Sequence, residues 1–317
     1  MDAVELTPNA ATAMRDALWR IPELTGRDLS LAPLSGGITN RNYLVTVAGV
    51  PERYVLRIAG DDTYLLGIDR EVEYAATVAA AGVGVGPDVS AFLRPEGFLV
   101  TRFIEGAPFP QSGVPRTDAI ARLADSLRRV HGGPPVPGLF SPLRVAERYA
   151  ALAAERGVSI PPAYRHARQL GRRVELACLT SVEDLRPCHN DLLAGNLIDD
   201  GTRIRIVDWE YAGMGDPFFD LGNLSINNDF TPDEDAALLR AYETGGVRPE
   251  RLARLTLMRV VSDLREAMWG VLQQAISTLD VDFVAYADRH FDRLLANATT
   301  PAFEEALRLV TEGGSRR

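Results

Sequence analysis

The chain has 317 residues, of which 46% are hydrophobic and 24% are charged, and its formal net charge is −9 at pH 7. This composition is typical of a globular protein with one large domain or two lobes, and the negative charge argues against a general nucleic-acid surface. No apolar stretch approaches the length of a membrane span, and the acidic N-terminus lacks the pattern of a signal peptide. Cys178 and Cys188 have no metal-ligand spacing. We therefore expect a cytoplasmic protein, whose net charge would attract small cations.

Lysine is absent from the sequence, so all 34 residues of the combined lysine and arginine count are arginines. This absence excludes Schiff-base chemistry, a P-loop lysine and the strand lysine that most kinases use. If the protein transfers phosphoryl groups, an arginine must therefore hold the nucleotide phosphates.

Short strands dominate the first part of the chain. A helix is predicted at 1–28, and strands are predicted at 29–34, 43–47, 54–58, 89–93 and 98–103, with one further helix at 67–81. The glycine-bearing turn at 35–42 could let backbone N–H groups approach a phosphate. A stretch rich in proline and glycine at 106–115 indicates a boundary between an N-terminal unit, 1–103, and a C-terminal unit, 104–317.

The C-terminal unit is predicted to be mainly helical. The expected helices are 119–130, 141–155, 162–180, 232–243, 248–276, 280–297 and 301–312. Asp216 is expected to cap a further helix that has Pro217 in its first position. The predicted fold class is therefore α+β, with strands first and helices after them.

The segment from Cys188 to Glu210 carries the strongest candidate site. Asp191 and Asn196 lie in a polar loop, and Asp208 follows two short apolar runs that are joined by a turn. Phosphoryl transfer from ATP needs one aspartate near the acceptor hydroxyl, and an asparagine and a second aspartate that hold Mg²⁺. The alternative is that these are ordinary turn residues.

Two charged residues of the N-terminal unit fit the same chemistry. Arg57 is a charge inside an apolar strand, and it is the candidate for the arginine that holds phosphate. Glu71 lies in the first turn of the predicted helix 67–81, where it either complements the helix dipole or pairs with Arg57. We expect the pairing, because it would aim Arg57 at the phosphates.

Four segments together resemble the choline/ethanolamine kinase family of the aminoglycoside-phosphotransferase, protein-kinase-like group. They are Gly36–Asn40, Leu56–Ile58, Cys188–Asn223 and Met268–Gly270. The resemblance implies a two-lobed protein-kinase-like fold, with an antiparallel sheet and one helix in the N-lobe and mainly helices in the C-lobe. It also implies ATP and Mg²⁺ as cofactors.

The resemblance assigns a role to each candidate residue. It makes Asp191 the catalytic aspartate, Asn196 and Asp208 the Mg²⁺ ligands, and Arg57 the phosphate-binding residue with Glu71 as its partner. The expected loop over the phosphates includes Ser35, Gly36, Thr39 and Asn40, and the expected hinge at the adenine comprises Arg102, Phe103 and Ile104.

The acceptor site is implied in the same way. Glu210, Trp269 and Tyr286 match positions that line the choline site of the family. Choline kinases often carry a second tryptophan where this chain has Leu272, so this chain has fewer aromatic residues for the ammonium group. A substrate with a smaller ammonium, such as ethanolamine, is therefore an alternative to choline.

We expect an ATP- and Mg²⁺-dependent kinase that phosphorylates a small cationic alcohol, choline or ethanolamine. An antibiotic phosphotransferase of the aminoglycoside type, or a kinase of another metabolite, is the alternative among enzymes. A catalytically silent protein that binds a nucleotide or a cation is the alternative of another class. The sequence leaves a homodimer open.

Overall fold

An antiparallel sheet of five strands forms the N-terminal lobe. The computed structural model describes residues 8–34, 39–60, 62–110, 116–179, 181–243 and 246–314. The strands lie in the order β1-β2-β3-β5-β4, and they are β1 (Leu29–Leu34), β2 (Asn40–Val47), β3 (Arg53–Ala59), β4 (Val89–Leu93) and β5 (Phe98–Arg102). In β2 and β3, buried residues alternate with more exposed ones, as expected for strands that face a core on one side. All five agree with the predicted strands to within a few residues.

Two helices pack in this lobe, α1 (Pro8–Leu18) and α2 (Arg70–Gly82). The helix predicted at 1–28 ends at Leu18, and residues 19–26 form turns. A proline disfavours helical backbone at the residue before it. Pro22 has this effect on Ile21, so the helix does not continue through these turns. Ile21 is nevertheless buried in the hydrophobic cluster that covers the sheet.

The C-terminal lobe is built from helices and a few short strands. The helices are α3 (Arg116–His131), α4 (Pro142–Glu155), α5 (Ala163–Ala177), α6 (Pro217–Asn227), α7 (Pro232–Tyr242), α8 (Pro249–Ile276), α9 (Phe283–Ala298) and α10 (Pro301–Gly314). The short strands are β6 (Ala107–Pro108), β7 (Arg186–Cys188), β8 (Leu197–Asp199), β9 (Ile204–Ile206) and β10 (Gly213–Gly215), which pair as β6-β8-β9 and β10-β7.

The 28-residue helix α8 is the centre of this lobe, and it packs against α4, α6, α9 and α10. Two glycines permit the close approach of its neighbours. A Cβ at Gly222 of α6 would lie 2.7 Å from the Cβ of Met258, and a Cβ at Gly270 of α8 would lie 2.8 Å from the ring of Tyr286 on α9. Glycine disfavours a helix interior by about 1 kcal/mol, so packing explains both positions.

The α+β class is confirmed, with an antiparallel N-terminal sheet and a mainly helical C-terminal lobe. One hydrophobic cluster covers the N-terminal sheet, and a second fills the C-terminal lobe and includes Ala76 and Ala80 of α2. The boundary at 103/104 stays a prediction. None of the helices in the described ranges is both long enough and apolar enough to cross a bilayer.

Candidate active site

Asp220 of α6 fixes the backbone of the loop that carries Asp191. The Asp220 carboxylate is fully buried and accepts hydrogen bonds from the backbone N–H groups of His189, at 2.8 Å, and Asn190, at 2.6 Å. The Nε2 atom of His131 also lies 3.0 Å from it. As predicted, Asp216 caps α6 by accepting the N–H of Phe218, and Pro217 occupies the first position. The cap therefore places Asp220 one turn into the helix, under the loop.

His189 braces the same loop, two positions before Asp191. Its Nε2–H donates to the carbonyl of Val207 at 2.9 Å, and its Nδ1 accepts the backbone N–H of Asp191 at 3.2 Å. Both ring nitrogens are thus satisfied in the neutral form. Burial lowers the pKa of His189 below its usual range, so the ring holds the loop without carrying a charge.

Asp191, in the loop that Asp220 and His189 hold, forms an ion pair with Arg265 of α8. Its Oδ1 accepts a hydrogen bond from Nη1 of Arg265 at 3.0 Å, and the same nitrogen donates to Oε1 of Glu266 at 2.6 Å. Burial raises the pKa of Asp191, and the charge of Arg265 opposes this rise. A carboxylate with a raised pKa is suited to accept a proton from an alcohol.

Asn196 and Asp208 supply oxygen atoms of the kind that Mg²⁺ prefers. The Nδ2 of Asn196 donates to the carbonyl of Asp191 at 2.9 Å, so its amide oxygen is the end of the side chain that suits a cation. The N–H of Val207 donates to the carbonyl of Asn196 at 3.0 Å, which ties the loop to the residue before Asp208. The donor set therefore fits the predicted metal site.

Arg57 contacts Asp208, but its helical partner is Glu73 and not the predicted Glu71. Nη1 of Arg57 donates to Oε1 of Glu73 at 2.7 Å and also to Oδ1 of Asp208. Glu71 lies on the solvent side of α2, where Arg94 donates to its Oε1 at 2.7 Å. Residues two apart on a helix point to different sides, so Glu71 and Glu73 cannot both face Arg57. The predicted role of Glu71 is therefore wrong.

Glu210 belongs to a buried cluster with residues of the N-terminal lobe. Its Oε2 accepts from Nδ2 of Asn40 at 2.7 Å and lies 3.4 Å from Nη1 of Arg70. Arg70 also donates to Oε2 of Glu73 at 2.6 Å, which joins this cluster to Arg57. Burial and the nearby Asp208 raise the pKa of Glu210.

This placement corrects the prediction that Glu210 lines the acceptor site with Trp269 and Tyr286. Glu210 follows Asp208 by two residues, and the buried arginine and asparagine attract it towards the N-terminal lobe. The side chain of Asn40 is likewise occupied by Glu210 and Arg70. The carbonyl of Thr39 accepts the N–H of Gly60 at 3.1 Å, whereas Ser35 and Gly36 lie outside the described residues.

A cavity of about 260 Å³ lies between the sheet and the strands that flank Asp208. The predicted hinge residues Arg102, Phe103 and Ile104 line it, and Arg57 and Asp208 line it too. The structure therefore brings the hinge and the phosphate residues to one cavity. Its further lining is largely apolar and includes Leu34, Val55, Leu99, Ile198 and Val207.

Trp269 and Tyr286 come together at the packed faces of α8 and α9. Their ring centroids are 5.4 Å apart, and the indole N–H of Trp269 donates to the hydroxyl of Tyr211 at 3.2 Å. The hydroxyl of Tyr286 donates to Oε2 of Glu266 at 2.9 Å. Glu266, and not Glu210, is therefore the carboxylate beside this aromatic pair.

Four residues of the site were not singled out from the sequence: Arg70, Glu73, Arg265 and Glu266. The sequence did contain a signal for Arg265 and Glu266, because these two charged residues lie among apolar residues of α8. All residues from Val260 to Gln273 are buried. Charged residues are almost never fully buried unless they are paired.

Comparison with known proteins agrees with this geometry. The model of the phosphotransferase enzyme family matches residues 30–255. A choline/ethanolamine kinase family protein from Mesorhizobium loti is 32% identical, and its crystal structure superposes with a TM-score of 0.78 over 95% of this chain and 99% of that one. The chain therefore belongs to the phosphotransferase enzyme family and, within it, to the choline/ethanolamine kinase family.

Two further relatives are more distant. Probable ethanolamine kinase A from Dictyostelium discoideum is 25% identical over 305 residues, which is 84% of each chain. Protein LicA from Haemophilus influenzae is 26% identical over 209 residues, which is 65% of this chain and 61% of the relative. The predicted family, the protein-kinase-like fold and the class of enzyme, a phosphotransferase with an alcohol acceptor, are thus confirmed.

Proposed function

We propose that the protein transfers the γ-phosphoryl group of ATP to the hydroxyl of a small amino alcohol, ethanolamine or choline. The observation that carries this proposal is the position of Asp191 between two different surroundings. Towards the cavity with Arg57 and Asp208, the carbonyl of Asp191 accepts the Nδ2 of Asn196, and the negative charge of Asp208 contributes to the raised pKa of Asp191. On the other side, contacts through Arg265 lead to Glu266 and Tyr286. The first suits a nucleotide, and the second suits a cationic alcohol.

The nucleotide would bind with its adenine at the hinge and its phosphates near Arg57. The backbone N–H groups of Arg102 and Phe103 already donate to Asp88 and Arg53, so Ile104 would supply the amide that meets adenine. Asn196 and Asp208 would hold Mg²⁺, which when bound neutralises negative charge on the phosphates. A requirement for ATP also fits the cytoplasmic location expected from the sequence.

The ammonium of the acceptor would lie against Trp269 and Tyr286, beside the carboxylate of Glu266. Aromatic faces attract both primary and quaternary ammonium groups, whereas only a primary ammonium can donate hydrogen bonds to a carboxylate. Leu272 is fully buried in the core and adds no aromatic face. Ethanolamine is therefore the acceptor that this site suits best.

Asp191 would orient the acceptor hydroxyl and take its proton. The hydroxyl oxygen then forms a bond to the γ-phosphorus, and the bond from that phosphorus to the oxygen bridging to the β-phosphate breaks. The products are a phosphomonoester and ADP, and the proton passes from Asp191 to solvent. Arg57 would stabilise charge on the phosphoryl group as it transfers.

An acceptor panel tests the proposal. Purified protein with ATP and Mg²⁺ is given ethanolamine, choline, other amino alcohols, an aminoglycoside and glycerol as an uncharged control. ADP release is followed, and the product is identified by mass spectrometry. We expect a phosphomonoester of ethanolamine, with a lower rate for choline. Phosphorylation of the aminoglycoside alone would favour the antibiotic phosphotransferase, and ATP binding without any product would favour the silent protein.

Asp191→Asn tests the assigned role of the aspartate, and Asp200→Asn is its control. Asp200 lies in the turn after β8, where its Oδ1 accepts the backbone N–H groups of Thr202 and Arg203. We expect Asp191→Asn to lower kcat by at least about 10²-fold, because the general base is lost, while the nucleotide still binds. Turnover by Asp191→Asn at the rate of the control would remove Asp191 from this role.

A further inference from the structure

Arg265 is the largest fully buried side chain of the described residues, with 1% of its surface exposed. It lies in the middle of α8, and Nη1 donates both to Asp191, at 3.0 Å, and to Glu266, at 2.6 Å. Its guanidinium carbon lies 4.3 Å from the centre of the Tyr211 ring. The protein thus keeps a full positive charge in its interior, at the side chain that the proposed reaction uses.

Stability alone does not explain this arginine. Burying an ion pair removes both charges from water, and apolar side chains of similar volume are often as stabilising or more so. Within the described ranges, Nε and Nη2 of Arg265 are buried and have no hydrogen-bond partner. The nitrogen that is satisfied is the one directed at Asp191. The arrangement is therefore poor for stability, and its one satisfied nitrogen joins Asp191 to Glu266.

The partners of Arg265 extend this contact to the acceptor side. Glu266 binds Arg265 through Oε1, and its Oε2 accepts the hydroxyl of Tyr286 at 2.9 Å. Tyr286 in turn packs against Trp269. A continuous line of contacts thus connects the aromatic pair to the carboxylate of Asp191.

We propose that Arg265 is a positioning residue that fixes the Asp191 carboxylate for the acceptor hydroxyl, and that Glu266 holds Arg265 in place for this task. The inference rests on the proposed function, because it gives Asp191 its role in phosphoryl transfer. One oxygen of Asp191 is held by Arg265, and the carboxylate plane is thereby set. Since small misplacements of a reacting group can lower a rate by about 10²-fold, loss of Arg265 affects the chemical step more than binding.

Four variants test the inference: Arg265→Met, Arg265→Lys, Tyr286→Phe and, as control, Arg259→Met. Arg259 lies on the same helix and donates to Asp235 at 2.6 Å, so its variant removes a comparable ion pair away from Asp191. For each variant, kcat, the KM of ATP and the KM of the acceptor are measured on folded protein, and the amount of folded protein is determined by nucleotide binding.

For Arg265→Met we expect kcat to fall by about 10²-fold, while the KM of ATP stays within about twofold. Arg265→Lys restores kcat to within about tenfold of the wild type, because an ammonium can still donate to one oxygen of Asp191. Tyr286→Phe lowers kcat by about threefold or more, since it releases Glu266. Arg259→Met leaves kcat within about twofold of the wild type.

An unchanged kcat in folded Arg265→Met overturns the inference, and so does a fall in kcat of the same size in Arg259→Met. If Arg265→Met does not fold, an unchanged kcat in Tyr286→Phe overturns it.

A crystal structure separates this inference from the proposed function. In Arg265→Met, we expect the Asp191 carboxylate to rotate out of its wild-type orientation. A wild-type enzyme without turnover on any acceptor would refute the proposed function only. An Asp191 side chain that keeps its place in the variant would refute the positioning role, whatever the acceptor is.

Discussion

Replacing Asp220 with asparagine tests whether this side chain holds the loop that carries Asp191. Asparagine preserves the size of the side chain, and its Oδ1 can still accept one of the two loop amides. Its Nδ2 then faces the other amide, and two donors cannot bond to each other. The variant loses a charge-assisted hydrogen bond and leaves a buried N–H group without a partner. We expect the free energy of unfolding to fall by about 3 kcal/mol and kcat by about 10²-fold.

Urea denaturation of the ligand-free protein measures the first effect, where the midpoint should fall by about 1 M for a slope of about 3 kcal/mol/M. Asp69→Asn is the matched control. Asp69 also accepts two backbone N–H groups, of Glu71 and Val72, but it does so at the exposed start of α2. Asparagine caps helices about as well as aspartate, so the control should change stability by less than about 0.5 kcal/mol. Equal midpoints for the two variants would refute the reasoning.

Three further predictions follow from the site and its packing. Glu73→Gln should raise the KM of ATP or lower kcat by about tenfold, whereas Glu71→Gln should change either by less than about twofold in the same steady-state assay, because only Glu73 holds the strand arginine. Gly270→Ala should lower the melting temperature in calorimetry and raise the KM of the acceptor. Its Cβ would meet the Tyr286 ring at 2.8 Å, and this crowding outweighs a gain in helix propensity of about 1 kcal/mol. Burial lowers the pKa of His189, so the unfolded chain binds the extra proton more readily, and stability should decrease as pH falls below about 6.5. Urea midpoints between pH 5 and pH 8 check this sign, and His189→Gln should show a smaller slope.

Local patterns were sufficient to predict the five strands of the N-terminal sheet and the helices, but not the short strands β6, β7 and β10. Alternating apolar residues predicted β2 and β3, and the pair Asp216 and Pro217 predicted the start of α6. These features are local, because alternation and capping act within a few residues. The predicted first helix failed at its end, where Ile21 and its neighbours form turns that are held by tertiary packing.

The partners of the charged residues were harder to predict, since they depend on how the two lobes meet. Glu71 and Glu73 both lie in the first turn of α2, and only the orientation of the helix decides which one faces Arg57. Glu210 was assigned to the acceptor by the resemblance to the choline/ethanolamine kinase family. Its actual partner, Asn40, is 170 residues away along the chain. No local rule predicts such a contact.

The two aspartates of the site share one arrangement. Arg57 bridges Glu73 and Asp208, and in the same way Arg265 bridges Glu266 and Asp191. Each group of three has one positive and two negative side chains, so each carries a formal charge of −1.

A residual negative charge in a site of low dielectric attracts cations strongly. At Asp208 the cation would be Mg²⁺, and beside Glu266 it would be the ammonium of the acceptor. Lysine-free composition thus has a structural consequence. The planar guanidinium can contact two carboxylates at once, and it keeps its charge when it is buried, whereas a buried lysine readily loses its proton. Arginine therefore allows both aspartates to be fixed in position while each side of the site remains attractive to its own cation.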